Sequence, residues 1–242
     1  MFFKNGVPDV DLILFDVDNT LYPREAGLWR HIDERILAYT SRVLNLPPEQ
    51  AREVQKYYWQ TYGTTIAGLM AEHGVDPEPY LAYVHDIDVG RYLKPNPLLA
   101  DILRALPHRK AAFTNATSEH AHNILSALGL RQYFEHLIGI AEVGYVSKPH
   151  PLAYERCLAI LGVAPERCLF IEDSAKNLYP ARELGIGTVL VGSADGEGFD
   201  LYIQRIEDLA RIFRLPSVTA APGDDGQAGS PRRAVSSRWA GP

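Results

Sequence analysis

The chain is poor in the residues that staple small domains together. Only two of its 242 residues are cysteine, Cys157 and Cys168, and they form no C-x-x-C pair. A disulfide framework and a zinc knuckle are thereby excluded, and two reduced, buried thiols are expected. Positive charge is not in excess either: 24 Lys and Arg face 30 Asp and Glu, for a formal net charge of −6. A nucleic-acid polymer is not an expected partner, because binding a phosphate backbone draws on clustered cations. No apolar run approaches the ~20 residues that span a bilayer. The N-terminus lacks the basic and apolar regions of a secretory leader. A cytoplasmic monomer or homodimer without a membrane partner is therefore expected, and no internal repeat points to a solenoid.

What remains is globular material. Hydrophobic residues make up 46% of the chain, enough to bury a sizeable core, and the length allows one large domain or a core with a smaller companion. Four short apolar runs stand out, Leu12 to Phe15, Ala111 to Phe113, Leu169 to Ile171 and Thr188 to Val191, with a weaker fifth at Leu137 to Ile140. Each is bounded by polar or turn residues, as in strands buried on both faces of a parallel sheet. Helical periodicity falls between them at Pro97 to Leu106, Ser118 to Leu128 and Pro151 to Leu161, with Ser118 as an N-cap and Gly129 and Gly162 as stops. The alternation predicts an α/β fold with a doubly wound parallel sheet. From Leu28 to Val89 no strand is expected, only helices at Leu28 to Leu44, Pro48 to Tyr62 and Thr65 to His73. That stretch reads as a small α-helical cap (28–90) inserted after the first strand of a core comprising 1–27 and 91–215. Beyond it, 216–242 reads as a disordered tail in which Trp239 and Arg232-Arg233 are the features a docking motif would use.

In an open α/β sheet, ligands gather outside the carboxyl ends of the strands. Four runs end in chemistry there: Asp16-Val17-Asp18-Asn19-Thr20, Thr114-Asn115, Ser147-Lys148-Pro149 and Glu172-Asp173-Ser174. Each alone is an ordinary turn or helix cap. Together they bring four carboxylates and an ammonium to one edge, where the acids repel one another unless a cation intervenes. A hard divalent ion with oxygen ligands resolves this, and Mg²⁺ suits a few carboxylates plus a phosphate.

In order and placement these four segments resemble the signatures of the haloacid dehalogenase-like hydrolases, over roughly Leu12 to Gly192. The helical insertion is similar to that family's small cap, with a Rossmann-like core beneath it. Tyr-Gly-Thr-Thr at Tyr62 to Thr65 and Arg91-Tyr92-Leu93-Lys94-Pro95 resemble the pyrimidine 5′-nucleotidase branch. The resemblance implies a Mg²⁺-dependent phosphatase acting on a small phosphorylated metabolite. Asp16 would be the nucleophile, Asp18 the acid and base, and Lys148 the charge-offsetting cation. Thr114, Asn115 and Lys148 would bind phosphate, and Asp16, Asp173, Glu172 and the Asp18 carbonyl would hold the metal. Relatives often carry Asp where Glu172 stands and an acid where Asn177 stands, which leaves Asn177 a supporting role. The acid at Asp18 favours phosphoryl transfer over attack on carbon.

Tyr62, Thr64 and Thr65 are the expected substrate contacts, while Tyr57, Tyr58 and Trp59 are expected in the cap core. His120 and His122, two apart on a helix, make a poor metal pair, and His150 reads as a solvated loop residue. The alternatives on the same edge are a sugar-phosphate or phosphoglycolate phosphatase and a phosphomutase. A receiver-like phospho-Asp module and a non-catalytic binding protein are more remote.

Overall fold

The computed structural model describes residues 3–4, 7–192 and 197–215; the expected tail, with Arg232-Arg233 and Trp239, lies outside them. A short antiparallel pair, β1 (Phe3–Lys4) and β2 (Val7–Pro8), precedes the first buried strand, β3 (Leu12–Phe15). The other apolar runs fall in β4 (Arg109–Phe113), β5 (His136–Ile138), β6 (Cys168–Glu172) and β7 (Gly187–Val191). A further strand, β8 (Leu201–Ile203), is too short to show a period in the sequence. These form a six-stranded sheet in the order β5-β4-β3-β6-β7-β8, parallel at every pairing.

Side chains leave a strand on alternate faces, and here both faces are covered. Ile13, Phe15, Leu169, Ile171 and Val189 enter one core, and Leu12, Leu14, Cys168, Phe170 and Leu190 enter the other. That double burial is why the runs are continuously apolar. Both cysteines are buried in the second core without a disulfide, and burial pushes the Cys157 thiol up to about 12.

The helical insertion consists of α1 (Leu28–Leu44), α2 (Pro48–Tyr62), α3 (Thr65–His73) and α4 (Pro77–His85). The first three match the expected spans; α4, with two prolines in its first turn, has too short a periodic stretch to be read beforehand. Tyr39, Tyr58, Leu69, Tyr80 and Val84 form a core of their own, which Ile140 joins from below. The expectation for the cap aromatics needs correction. Tyr58 is buried, but Tyr57 and Trp59 are 50% and 53% exposed, because neighbours on a helix point about 100° apart.

On the sheet's first core lie α5 (Pro97–Ala105) and α6 (Ser118–Ala127); on the second lie α7 (Pro151–Leu161) and α8 (Ala175–Glu183). The short α9 (Leu209–Ile212) follows β8. Proline at the first helical position and a side-chain cap start two of these helices: Asn96 accepts from Leu99 N in α5 and His150 from Leu152 N in α7. The N-cap of α6 is Thr117 rather than Ser118, its hydroxyl accepting from His120 N. Among the described residues, no helix is long and apolar enough to cross a membrane.

Candidate active site

Register assembles the site. β3 pairs with β6 so that Phe15 stands opposite Ile171, and Asp16 N donates to Ile171 O at 2.9 Å. The first residues past the two strands, Asp16 and Asp173, thereby lie close to Glu172, and β4 brings Thr114 and Asn115 to the other flank. Lys148 reaches in from the loop after β5. Its ammonium is 1% exposed and has three acceptors: Asp16 Oδ1 at 2.8 Å, Phe113 O at 2.8 Å and Glu172 Oε2 at 2.9 Å. The rings of Phe113 and Phe170 flank it at 5.0 Å.

An ammonium so buried persists only because each of its protons is accepted and its charge is opposed. Burial works against the Lys148 charge, but Asp16 and Glu172 outweigh it and raise its pKa above the ordinary lysine value. Burial and the Glu172 carboxylate push Asp16 up to about 7 in spite of Lys148, and burial pushes Glu172 up to about 6. Asp173 is also raised, chiefly by burial and then by Asp16. Oxygens of Asp16, Glu172 and Asp173 lie within 4.8 Å of one another. Three crowded carboxylates, all offering oxygen, fit a hard divalent cation.

Thr20 and Arg24, given no role by the sequence, hold this arrangement together with Asn177, Asn115 and Thr114. Thr20 donates to Asp16 Oδ2 at 2.8 Å and accepts from the backbone N of Asp173 at 3.1 Å, joining the Asp16 carboxylate to the chain just past β6. Asn177 donates to Glu172 Oε2 at 3.1 Å, in keeping with a supporting role, and Arg24 pairs with Asp173 at 2.9 Å. The Asn115 side chain clamps the Lys148 backbone in both directions, donating to Lys148 O at 3.0 Å and accepting from Lys148 N at 2.8 Å. Thr114 Oγ1 accepts from Ala116 N, which leaves its proton available.

Asp18 lies outside the carboxylate cluster. Its Oδ1 accepts from the Tyr22 hydroxyl at 2.6 Å and stands 3.5 Å from His120 Nε2. Burial tends to raise its pKa, but the contacts with His120 and Tyr22 prevail and hold it below the usual carboxylate range. His120, expected only to make a poor metal pair with His122, is buried against Asp18, a neighbour that helix spacing within α6 does not reveal. His150, by contrast, is an exposed helix cap.

A cavity of about 540 Å³ runs from Asp16, Asp18, Thr114 and Lys148 to the cap. Its cap wall carries Trp29, Asp33, Arg52, Gln55 and Trp59. Asp33 accepts from Gln55 Nε2 and from Arg52, both at 2.6 Å, forming a polar set beside Ile32, Ile36 and Val84 that keeps carboxylate lone pairs and one amide N–H unused among the described residues. Of the expected substrate contacts, Thr64 and Thr65 line the cavity. The Thr64 hydroxyl is already engaged, capping α3 through Ala67 N and donating to Ser147. Tyr62 does not line the cavity; its hydroxyl is turned to Glu72 at 2.9 Å, a partner one helix away that sequence order hides.

Fold and edge together define a capped α/β hydrolase. The chain belongs to the haloacid dehalogenase-like hydrolases, whose family model matches residues 10–185. It is 26% identical over 203 residues to Phosphate metabolism protein 8 of Saccharomyces cerevisiae, covering 76% of this chain and 63%, under two thirds, of that protein. It is 29% identical over 208 residues to Glyceraldehyde 3-phosphate phosphatase of Methanopyrus kandleri, covering 75% of this chain and 84% of that one. Phosphoglycolate phosphatase of Escherichia coli is 25% identical over 244 residues, covering 88% and 96%. Among solved structures, the HAD phosphatase from Thermococcus onnurineus aligns with a TM-score of 0.57 at 20% identity, covering 84% of this chain and 97% of that chain. L-2-haloacid dehalogenase from Xanthobacter autotrophicus aligns at 0.56 and 18%, covering 86% and 100%. At such identities the structural likeness concerns the fold alone.

Proposed function

We propose that this hydrolase is a Mg²⁺-dependent phosphatase of small phosphate monoesters, working through an aspartyl-phosphate, with pyrimidine nucleoside 5′-monophosphates as substrates. One observation carries the reaction type. A second carboxylate, Asp18, sits on the nucleophile's loop, held by Tyr22 and separate from the cluster of Asp16, Glu172 and Asp173. Displacement at carbon needs no acid there, whereas making and hydrolysing a phosphoryl ester needs a proton moved twice.

In the first half, Asp16 attacks phosphorus; a new O–P bond forms, the ester O–P bond breaks, and Asp18, which takes up a proton when the negative phosphate binds beside it, gives that proton to the leaving oxygen. In the second, Asp18 takes a proton from water as that water's oxygen attacks phosphorus. The Asp16–phosphorus bond breaks and inorganic phosphate leaves. The Thr114 hydroxyl and Asn115 backbone bind the phosphoryl oxygens, and Lys148 offsets the charge of nucleophile and phosphate. Asp16, Glu172 and Asp173, with the Asp18 carbonyl, would hold the ion. Bound there, Mg²⁺ withdraws charge from the phosphoryl oxygens so that one anion can approach another.

For the substrate, the cap wall is the support. A cavity of about 540 Å³ is larger than a two-carbon phosphate needs. Asp33 and Gln55 offer an acceptor and an amide to a base, with Trp29 and Trp59 as flat neighbours. A site that hydrogen-bonds its substrate rejects poor matches far better than an apolar one. A second reading, phosphoglycolate or a sugar phosphate, is favoured by Arg24, Arg52 and Lys56 on the cavity wall and by the names of two relatives. The deciding measurement is kcat/KM in Mg²⁺ for UMP and CMP against AMP, GMP, glyceraldehyde 3-phosphate and phosphoglycolate. A pyrimidine preference of about tenfold or more is expected. Preference for the three- or two-carbon phosphates would overturn the nucleotide assignment alone; no phosphate release from any ester would overturn the phosphatase as well.

A further inference from the structure

Cap and core also meet through two imidazoles. His85 closes α4, and His120 lies in the first turn of α6 at 1% exposure; their rings stack with centroids 4.4 Å apart and planes 26° apart. Among the described residues, neither ring nitrogen of His120 and not Nδ1 of His85 has a hydrogen-bond partner. A buried polar group left without a partner destabilises the fold. A position needed only for packing would be better filled by an apolar ring. The polar atom that His120 does approach is Asp18 Oδ1, at 3.5 Å from Nε2, the same oxygen that Tyr22 holds.

We infer that His120 is a positioning residue for Asp18, and that the stacked His85 ties this role to the seating of the cap. The inference rests on the reading of Asp18 as acid and base. An N–H at Nε2 donates to Oδ1 as the cap tightens. With Tyr22 on the same atom, Asp18 can turn neither away from the leaving group nor toward the metal ligands. Oδ2, which has no hydrogen bond among the described residues, is then the oxygen that passes the proton to the leaving oxygen as the ester O–P bond breaks. His85 sets the plane of the His120 ring from above, and it also lines the cavity. A substrate that fills the cavity and closes the cap thus aligns the acid in the same movement.

The role predicts a dependence on the leaving group. β-Glycerophosphate expels an alkoxide that must be protonated, whereas p-nitrophenyl phosphate expels a stable phenolate that needs no acid. kcat/KM covers binding and the steps up to release of the alcohol, so it includes the step in which Asp18 is the acid and excludes the one in which it is the base. His120→Phe keeps a ring in the stack and removes both nitrogens. It should lower kcat/KM for β-glycerophosphate at least about 30-fold and for p-nitrophenyl phosphate less than about threefold. His120→Gln, which restores a donor, should recover part of the loss. His85→Phe preserves the stack and should lose less on β-glycerophosphate than His85→Ala does. His85→Ala should show the selective loss in weaker form, and this pair decides the matter if His120→Phe does not fold. Equal losses on both esters, or none, would reduce the two histidines to packing. Absence of turnover in the parent on either ester would instead overturn the phosphatase reading itself.

Discussion

Replacing Asp16 with Asn should stabilise the metal-free protein at pH 8 while abolishing turnover. The wild-type side chain is 6% exposed and shares its surroundings with Glu172 and Asp173, with Lys148 as the buried ammonium between them. Its pKa stands at about 7 against 3.8 for a free side chain, a gap worth roughly 4 kcal/mol. The sign follows from proton linkage. The folded state binds this proton more tightly than the unfolded state, so the stabilisation is complete below pH 4 and is lost as pH rises through about 7. At pH 8 the folded protein carries the full burden of the charge. Asparagine removes the charge, keeps the size and still accepts from Lys148, but it weakens the pairing with that ammonium. A net gain of about 1–3 kcal/mol remains, or roughly 3–10 °C for a chain of this size. The assay is thermal unfolding in chelator at pH 5 and pH 8, with and without added Mg²⁺. At pH 5 the folded wild-type carboxyl is still protonated but the unfolded one is mostly ionised, so the gap between the two proteins should be clearly smaller than at pH 8 and close only below about pH 4. Added Mg²⁺ at pH 8 should raise the wild-type midpoint more than the variant's. If Asp16→Asn melts below wild type at pH 8 in chelator, the ion pair outweighs the crowding and the reasoning fails. Activity above about a tenth of wild type would remove Asp16 from the nucleophile's role.

Lys148→Ala leaves the carboxylates without their buried counter-charge and should cost about 3–5 kcal/mol as well as most activity. Lys148→Arg should recover little, since a planar fork does not replace a compact ammonium with three acceptors at 2.8–2.9 Å; near-normal kcat in either variant would contradict this. Activity should vanish in chelator, return with Mg²⁺ or Mn²⁺, and be inhibited by Ca²⁺, whose looser coordination misplaces the nucleophile. Full turnover after exhaustive chelation would refute the metal site. At Gly63, φ is +90°, and an added Cβ would stand 2.7 Å from Pro149 Cδ and 2.9 Å from Lys148 O. Gly63→Ala should therefore lower both kcat and stability, while Gly74→Ala, at φ +61° with open space around it, should show backbone strain alone. Equal kcat losses in the two variants would show that the cap loop does not press on the lysine.

Much of this site was legible because its parts are local. A buried parallel strand must be apolar and must end where the sheet ends, so Asp16, Thr114 and Glu172 could be placed at one edge from the runs that precede them. The same logic failed for β8, whose three residues carry no period, and for α4, where prolines interrupt the pattern. Helix spacing was underused in the cap. Ala51, Gln55 and Tyr58 lie four and three residues apart and are buried together, a pattern that separates Tyr58 from Tyr57 and Trp59. Other facts are tertiary. Nothing in α6 says that His120 meets Asp18 from one side and His85 from the other. Nor does α2 say that Tyr62 will answer to Glu72 on the next helix. The polar set of Asp33, Arg52 and Gln55 joins two helices that only their packing brings together.

The clamp between Asn115 and Lys148 has a consequence for the protein's life in storage. A carboxamide that gives one hydrogen bond and takes another is a stand-in for a peptide group, and it ties the loop after β4 to the loop that carries Lys148. Spontaneous loss of ammonia from that side chain exchanges a donor for an acceptor and sets it against the carbonyl of Lys148. The two loops would then part at the lysine while the fold around them stayed whole. An ageing preparation would lose activity without losing its melting transition, through a side chain whose work is to hold the lysine's loop in place.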